Sequence, residues 1–157
     1  MKTVFIVVGK TTDSHINKLV DEYIKRVKHY LPFDVETIPE LKNTKNLSKE
    51  QQKTKEGELL LKSFKPGDTI VLLDEKGKEF RSVDFANYLQ NKLTTINRRL
   101  VFVIGGPYGF TESVYEVASE KISLSKMTFS HQMIRILFIE QFYRAMTIIH
   151  NEPYHHE

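Results

Sequence analysis

The chain contains no cysteine, which excludes structural disulfides and thiolate metal sites and is compatible with the reducing cytoplasm. It has no apolar run near the roughly 20 residues that a bilayer span requires, so no membrane partner is expected. The opening MKTVFIVVGK has a lysine and a short apolar stretch, but no small-residue cleavage site follows, and it reads as a strand rather than a signal peptide. No repeat, low-complexity tract or linker interrupts the sequence. A strong charge bias is also missing: the net charge of +3 only weakly favours a polyanionic partner.

What remains is ordinary globular material. The composition is 40% hydrophobic and 27% charged, and residues 1–157 fit one domain with a sizeable core. Thr3 to Val8, Thr69 to Leu73 and Leu100 to Ile104 are continuous apolar runs of the kind that form strands covered on both faces. Phe33 to Ile38 alternates and stops at Pro39, and Ile122 to Ser125 makes a fifth short strand. Between them the period changes. Asp13 to Tyr30 carries a helical apolar stripe, Ser48 with Gln51 forms a capping box that opens a helix to Phe64, Ser82 caps a helix to about Leu93, and Thr111 caps one to Ala118. Leu41 to Leu47 reads as a polar loop, and the first half of the Ser48 helix is polar throughout, leaving Leu59, Leu60, Leu61 and Phe64 to anchor it. This alternation predicts an α/β fold: a mainly parallel sheet with helices on both faces. Ligands in such sheets sit beyond the carboxyl ends of the strands, which directs attention to the loops after Val8, Leu73, Ile104 and Ser125.

Several familiar chemistries fail there. GKTT at 9–12 lacks the upstream glycine of a phosphate loop, because Val4 stands in its place. GGPYG at 105–109 lacks the spacing of a dinucleotide fold, and no serine sits in a hydrolase elbow. The histidines have no companion at metal-ligand spacing, so no metal is expected. Two glycines at a strand end allow a ligand to approach the backbone, though a plain tight turn would look the same. The final helix, capped by Ser130, is apolar on most of its circumference from Met133 to Ile149. It requires cover on two sides, either from a second copy across a two-fold axis, with Ile136 and Phe142 in the seam, or from its own chain.

The fragments IGGPYG at 104–109, SLSKMTFSHQMIR at 123–135, EQFYRA at 140–145 and PYH at 153–155 together resemble the ribosomal RNA large subunit methyltransferase H family of SPOUT methyltransferases, along the whole chain. The resemblance implies a homodimer with a C-terminal trefoil knot. It also implies a cofactor, S-adenosylmethionine, and methylation of N3 of a pseudouridine in 23S rRNA on the assembled ribosome. Carried over, the cofactor positions are Leu73, Gly105, Leu124, Ser125, Lys126, Met127, Thr128 and Phe129. The catalytic candidates are His131, Arg135, Tyr154 and His155, with His131 either positioning the base and moving its proton or merely capping its helix. Met127 and Phe129 would also suit ordinary core packing, and Glu140 with Arg144 a structural i,i+4 pair. His156 stands where many relatives carry a basic residue, and Ser130 where proline is frequent. The lysines of the polar helix, with Lys42 and Lys45, suit either phosphate contact or a solvated face. Other readings are a SPOUT enzyme acting on tRNA or another rRNA base, and a non-catalytic ribosome-associated dimer.

Overall fold

The computed structural model describes residues 2–156. The apolar runs form strands as their composition requires: β1 (Lys2–Val8), β2 (Phe33–Ile38), β3 (Thr69–Glu79), β4 (Arg99–Ile104) and β5 (Glu120–Ser123). They make one parallel sheet in the order β2-β1-β4-β3-β5. Side chains alternate between two cores. Phe5, Val7, Phe102 and Ile104 face one, while Val4, Ile6, Val101 and Val103 face the other. Burial on both faces is why these strands read as unbroken apolar runs.

The helices α1 (Ser14–Lys28), α3 (Ser82–Thr95) and α5 (His131–Ile149) cover the first face. The second is covered by α2 (Lys49–Ser63) and α4 (Glu112–Val117). Because all the strand pairs are parallel, the loops that follow the strands gather at the carboxyl end of the sheet, with those after β4, β3 and β5 side by side.

Local sequence explains most of the boundaries. Ser48 and Gln51 close the capping box reciprocally, and the Thr111 and Ser130 side chains accept from the amides of Val114 and Met133. Ser82 does not cap. Arg81 holds that position, and the Ser82 hydroxyl donates instead to Gln141 Oε1 at 2.8 Å, tying α3 to α5. The first helix stops at Lys28, before Tyr30, and the 41–47 loop contains a single 3-10 turn at Thr44–Asn46. The last strand starts at Glu120 and ends at Ser123, whose hydroxyl donates to the Ser125 carbonyl and bends the chain out of the sheet.

The largest departure is β3, which continues through the polar residues after Leu73. Leu73 and Lys78 both pair with Ile122, so residues 74–77 bulge outward while the strand resumes beside β5.

The central helix α5 lies on the sheet between α1 and α3. Phe138 sits against Phe5 and Phe102 with ring centroids 4.7 and 5.0 Å away, and Phe142 against Phe33 at 5.1 Å. Each such aromatic pair contributes about 0.5–1.5 kcal/mol beyond its buried area. The chain itself therefore covers most of the greasy circumference. Ile136 and Phe142 belong to this core rather than to a seam between copies.

Candidate functional site

Three loops surround a cleft of about 320 Å³ at the carboxyl ends of β3, β4 and β5. One begins at Leu73, the second is the glycine turn 105–109, and the third is the crossover from Ser123 to His131. The crossover is shaped by its own serines. Ser123 donates to the Ser125 carbonyl, and the Ser125 hydroxyl accepts from the Met127 amide at 2.9 Å. The walls are apolar at Leu73, Ile104, Leu124, Phe129 and Ile134, with backbone exposed at the glycines, as a flat heteroaromatic ligand would need.

Of the expected cofactor positions, Leu73, Gly105, Leu124, Ser125, Met127, Thr128 and Phe129 line this cleft. Lys126 does not: its side chain is 88% exposed and its Nζ lies 3.9 Å from Glu79. Core packing is excluded for Met127 and Phe129, which are 75% and 38% exposed. His131 also lines the cleft, at the first position of α5, and because Ser130 caps that helix His131 is free of the capping role.

Arg135 lies elsewhere. It is 3% exposed, donating to the Val8 carbonyl at 2.7 Å and to Thr11 Oγ1 at 3.0 Å, and it lines a separate groove with Lys10 and Thr11. Burial lowers its affinity for a proton, partly opposed by Glu40. Gln132 reinforces the same junction by accepting from the Thr12 amide at 2.8 Å. The loop whose GKTT looked like a phosphate cradle is thus stapled to the first turn of α5.

The tail docks on its own chain. Tyr154 shares a 3.0 Å hydrogen bond with Tyr23 and donates to Glu140 Oε1 at 3.1 Å. His155 Nδ1 lies 3.1 Å from the Arg144 guanidinium, which also holds Glu140 at 2.7 Å. Burial and these neighbours push the Tyr154 hydroxyl well above the usual phenol range. Tyr154 and His155 therefore do have packing partners within the chain. They sit beside Glu140 and Arg144. Those two lie nine or more residues along α5 from His131, a helix rise of about 13 Å. Within one protomer the tail and the cleft are apart.

Sequence reasoning missed three polar groups here. Asp74 follows Leu73 directly and accepts a hydrogen bond from Tyr115; burial and this carboxylate leave the Tyr115 hydroxyl pushed up to about 12. Asp74 was within reach of the strand-end rule, whereas Tyr115 on α4 carried no signal. The third is Glu56, 9% exposed, whose Oε1 accepts from the Gly106 amide at 2.8 Å. Desolvation raises its pKa, with the Gly106 hydrogen bond opposing.

A raised carboxyl pKa means that the native state binds more protons than the unfolded chain between the two values, so stability falls as pH rises through that window. Glu56→Gln should therefore be more stable than the parent at pH 8 and lose this advantage towards pH 4. Denaturant unfolding at both pH values checks this; an advantage that grows on acidification would contradict the assignment.

Among the described residues no cluster of three potential metal ligands exists, and no helix is long and apolar enough to cross a membrane. Residues 1–155 match the family described as a predicted SPOUT methyltransferase. Over all 157 residues, and over the full length of each relative, the chain is 64% identical to the ribosomal RNA large subunit methyltransferase H proteins of Phocaeicola vulgatus and Bacteroides thetaiotaomicron. The Flavobacterium johnsoniae protein of the same name is 54% identical over the same span. In fold alone, the chain superposes on the crystal structure of the tRNA (m1G37) methyltransferase from Aquifex aeolicus with TM-score 0.53 at 16% identity, covering 100% of this chain and 76% of that one. With strand-end loops converging on an apolar cleft and kinship running end to end, the chain belongs to the SPOUT methyltransferases, in the ribosomal RNA large subunit methyltransferase H family.

Proposed function

We propose that this protein transfers a methyl group from S-adenosylmethionine to N3 of a pseudouridine in 23S rRNA, acting as a homodimer on the assembled ribosome in the cytoplasm. The observation carrying this reading is the cleft, where the Leu73, glycine-turn and 124–129 positions converge. Its volume of about 320 Å³ falls in the range of small-molecule sites, about 300–1,000 Å³. The residues fit the cofactor: Leu73, Leu124 and Phe129 supply apolar walls, and Gly105 with Ser125 and Thr128 offers backbone and hydroxyl groups for its polar edges. When bound, S-adenosylmethionine supplies an electrophilic methyl on its sulfonium.

The protein's tasks are then to align the target nitrogen and favour loss of its proton. His131, exposed at the cleft, is our candidate to orient the base or move that proton. Arg135 and Gln132 act through position, fixing the start of α5 against the loop after β1. Since the tail lies away from the cleft of its own chain, Tyr154 and His155 serve a second protomer's site or its RNA. Met127, Phe129 and Met133 form an exposed apolar rim that a second copy would cover. The exposed Lys42, Lys45, Lys49, Lys55 and Lys62 would contact RNA phosphates, so binding should weaken steeply with salt.

Methyl transfer to ribosomes lacking the modification tests the reading, with isolated large subunits, free tRNA and ribosomes carrying unisomerised uridine as comparisons. Preference for intact particles with pseudouridine is expected; activity confined to naked RNA or tRNA would defeat it. The exposure of Phe129 yields a separate expectation. Phe129→Ala should leave the thermal midpoint within about 2 °C, because little packing is lost, yet weaken S-adenosylmethionine roughly tenfold by calorimetry. Unchanged affinity would remove Phe129 from the site.

A further inference from the structure

The polar half of α2 reads as a solvated face, yet its inner side meets the glycine turn. Glu56 is 9% exposed in the middle of α2, and its Oε1 accepts the Gly106 N–H at 2.8 Å. The fit is tight from both sides, because a Cβ on Gly106 would overlap the Glu56 carboxylate. The next residue of the helix, Gly57, leaves room for Thr111, where a Cβ would come within 2.8 Å of the hydroxyl. Towards the start of α2, Lys49 Nζ lies 5.8 Å from the centroid of the Tyr108 ring, within the range of a cation–π contact. Thus α2 touches the segment 106–111 at three places, and of these three contacts Glu56 is the one that reaches its backbone.

We infer that Glu56 is a positioning residue for the cofactor cleft, its carboxylate fixing the peptide of Gly106 so that the glycine turn keeps the shape the ligand requires. This rests on the reading of the cleft as the S-adenosylmethionine site. A half-buried amide left without its acceptor would draw the turn towards water, at the expense of the wall formed by Gly105 and Gly106. Glu56 does not line the cleft, so it acts on ligand binding through Gly106. The desolvated setting leaves either carboxyl form able to accept this bond, so a carbonyl oxygen of the same shape should replace it.

The test compares Glu56→Ala with Glu56→Gln. For Glu56→Ala, KM for S-adenosylmethionine should rise roughly 10- to 30-fold with kcat within about threefold, the pattern of lost uniform binding. Glu56→Gln should stay within about threefold of the parent in both. In cofactor-free protein, hydrogen exchange at the Gly106 amide should accelerate at least about tenfold in the alanine variant and stay near the parent rate in the glutamine variant. Gly106→Ala, which crowds the carboxylate, should raise KM likewise, and its effect should shrink when Glu56 is already alanine. Parent-like KM and exchange in Glu56→Ala, or equal damage from glutamine and alanine, would overturn the proposal. If Glu56→Ala fails to fold, Glu56→Gln and Gly106→Ala carry the comparison: a damaged glutamine variant or a harmless Gly106→Ala overturns it. A parent protein that binds no S-adenosylmethionine would remove the functional reading instead, and exchange at Gly106 would still decide the role of Glu56.

Discussion

Gly77→Val should lower the thermal midpoint by roughly 8–16 °C. A Cβ at this position would lie 2.5 Å from the Ile122 carbonyl carbon, 2.6 Å from its nitrogen and 2.7 Å from its Cα. All three are backbone atoms of a paired strand, so no side-chain rotation relieves the overlap; β3 or β5 must move. Ile122 is already paired with both Leu73 and Lys78, and it is 2% exposed in the core. Displacing it would cost on the order of 4 kcal/mol, a large share of the about 5–15 kcal/mol that holds a domain together. Because β5 leads directly into Leu124 and Ser125, the variant should also bind S-adenosylmethionine poorly. Gly77→Ala should show the same defects in milder form. Thermal unfolding decides: a valine variant melting within about 2 °C of the parent would mean that the two strands do not meet as described.

Gly77 also shows where the sequence stops being readable. Three strands are legible because burial on both faces demands continuous apolar residues, and Val4 to Val7, Ile70 to Leu72 and Leu100 to Ile104 obey that demand. The extension of β3 through Asp74 to Glu79 is polar and carries no such signature; only its pairing with β5 defines it. The final helix illustrates a second limit. Its apolar circumference correctly implies cover on several sides, but composition is silent on which neighbour supplies it, and α1 and α3 do much of what a second copy would otherwise do. Helix direction sets a third. Arg135 follows His131 by four residues, which places the two on similar faces, yet a long side chain reaches Val8 while its neighbour stays at the cleft. The loops that form the cleft, in contrast, were legible twice over, since the strand-end rule and the family resemblance both point to Leu73, Gly105 and the 124–129 turn, which line it except for Lys126. Glu56 was invisible because a polar helix displays no sign of which carboxylate turns inward.

His131→Ala should lower kcat for methyl transfer about 100-fold while leaving the affinity for S-adenosylmethionine within about threefold. The imidazole lines the cleft from an exposed position, makes no hydrogen bond to another described residue, and is relieved of helix capping by Ser130. Nothing in the packing employs it, so its removal should not disturb the fold. Its backbone amide opens α5, the positive end of a 19-residue helix, where negative charge developing on a nucleobase imide is favoured. A residue here can therefore act on the base in two ways, by taking the proton or by holding a neighbouring carbonyl oxygen. His131→Gln separates them, since an amide donates and accepts hydrogen bonds but does not shuttle a proton at neutral pH. Recovery to within about tenfold of the parent would mark His131 as a hydrogen-bonding guide; a glutamine variant as slow as alanine would mark proton transfer. Full activity in His131→Ala, or a loss found wholly in cofactor affinity, would take this histidine out of the chemistry and leave the reaction to groups that a second protomer brings to the cleft.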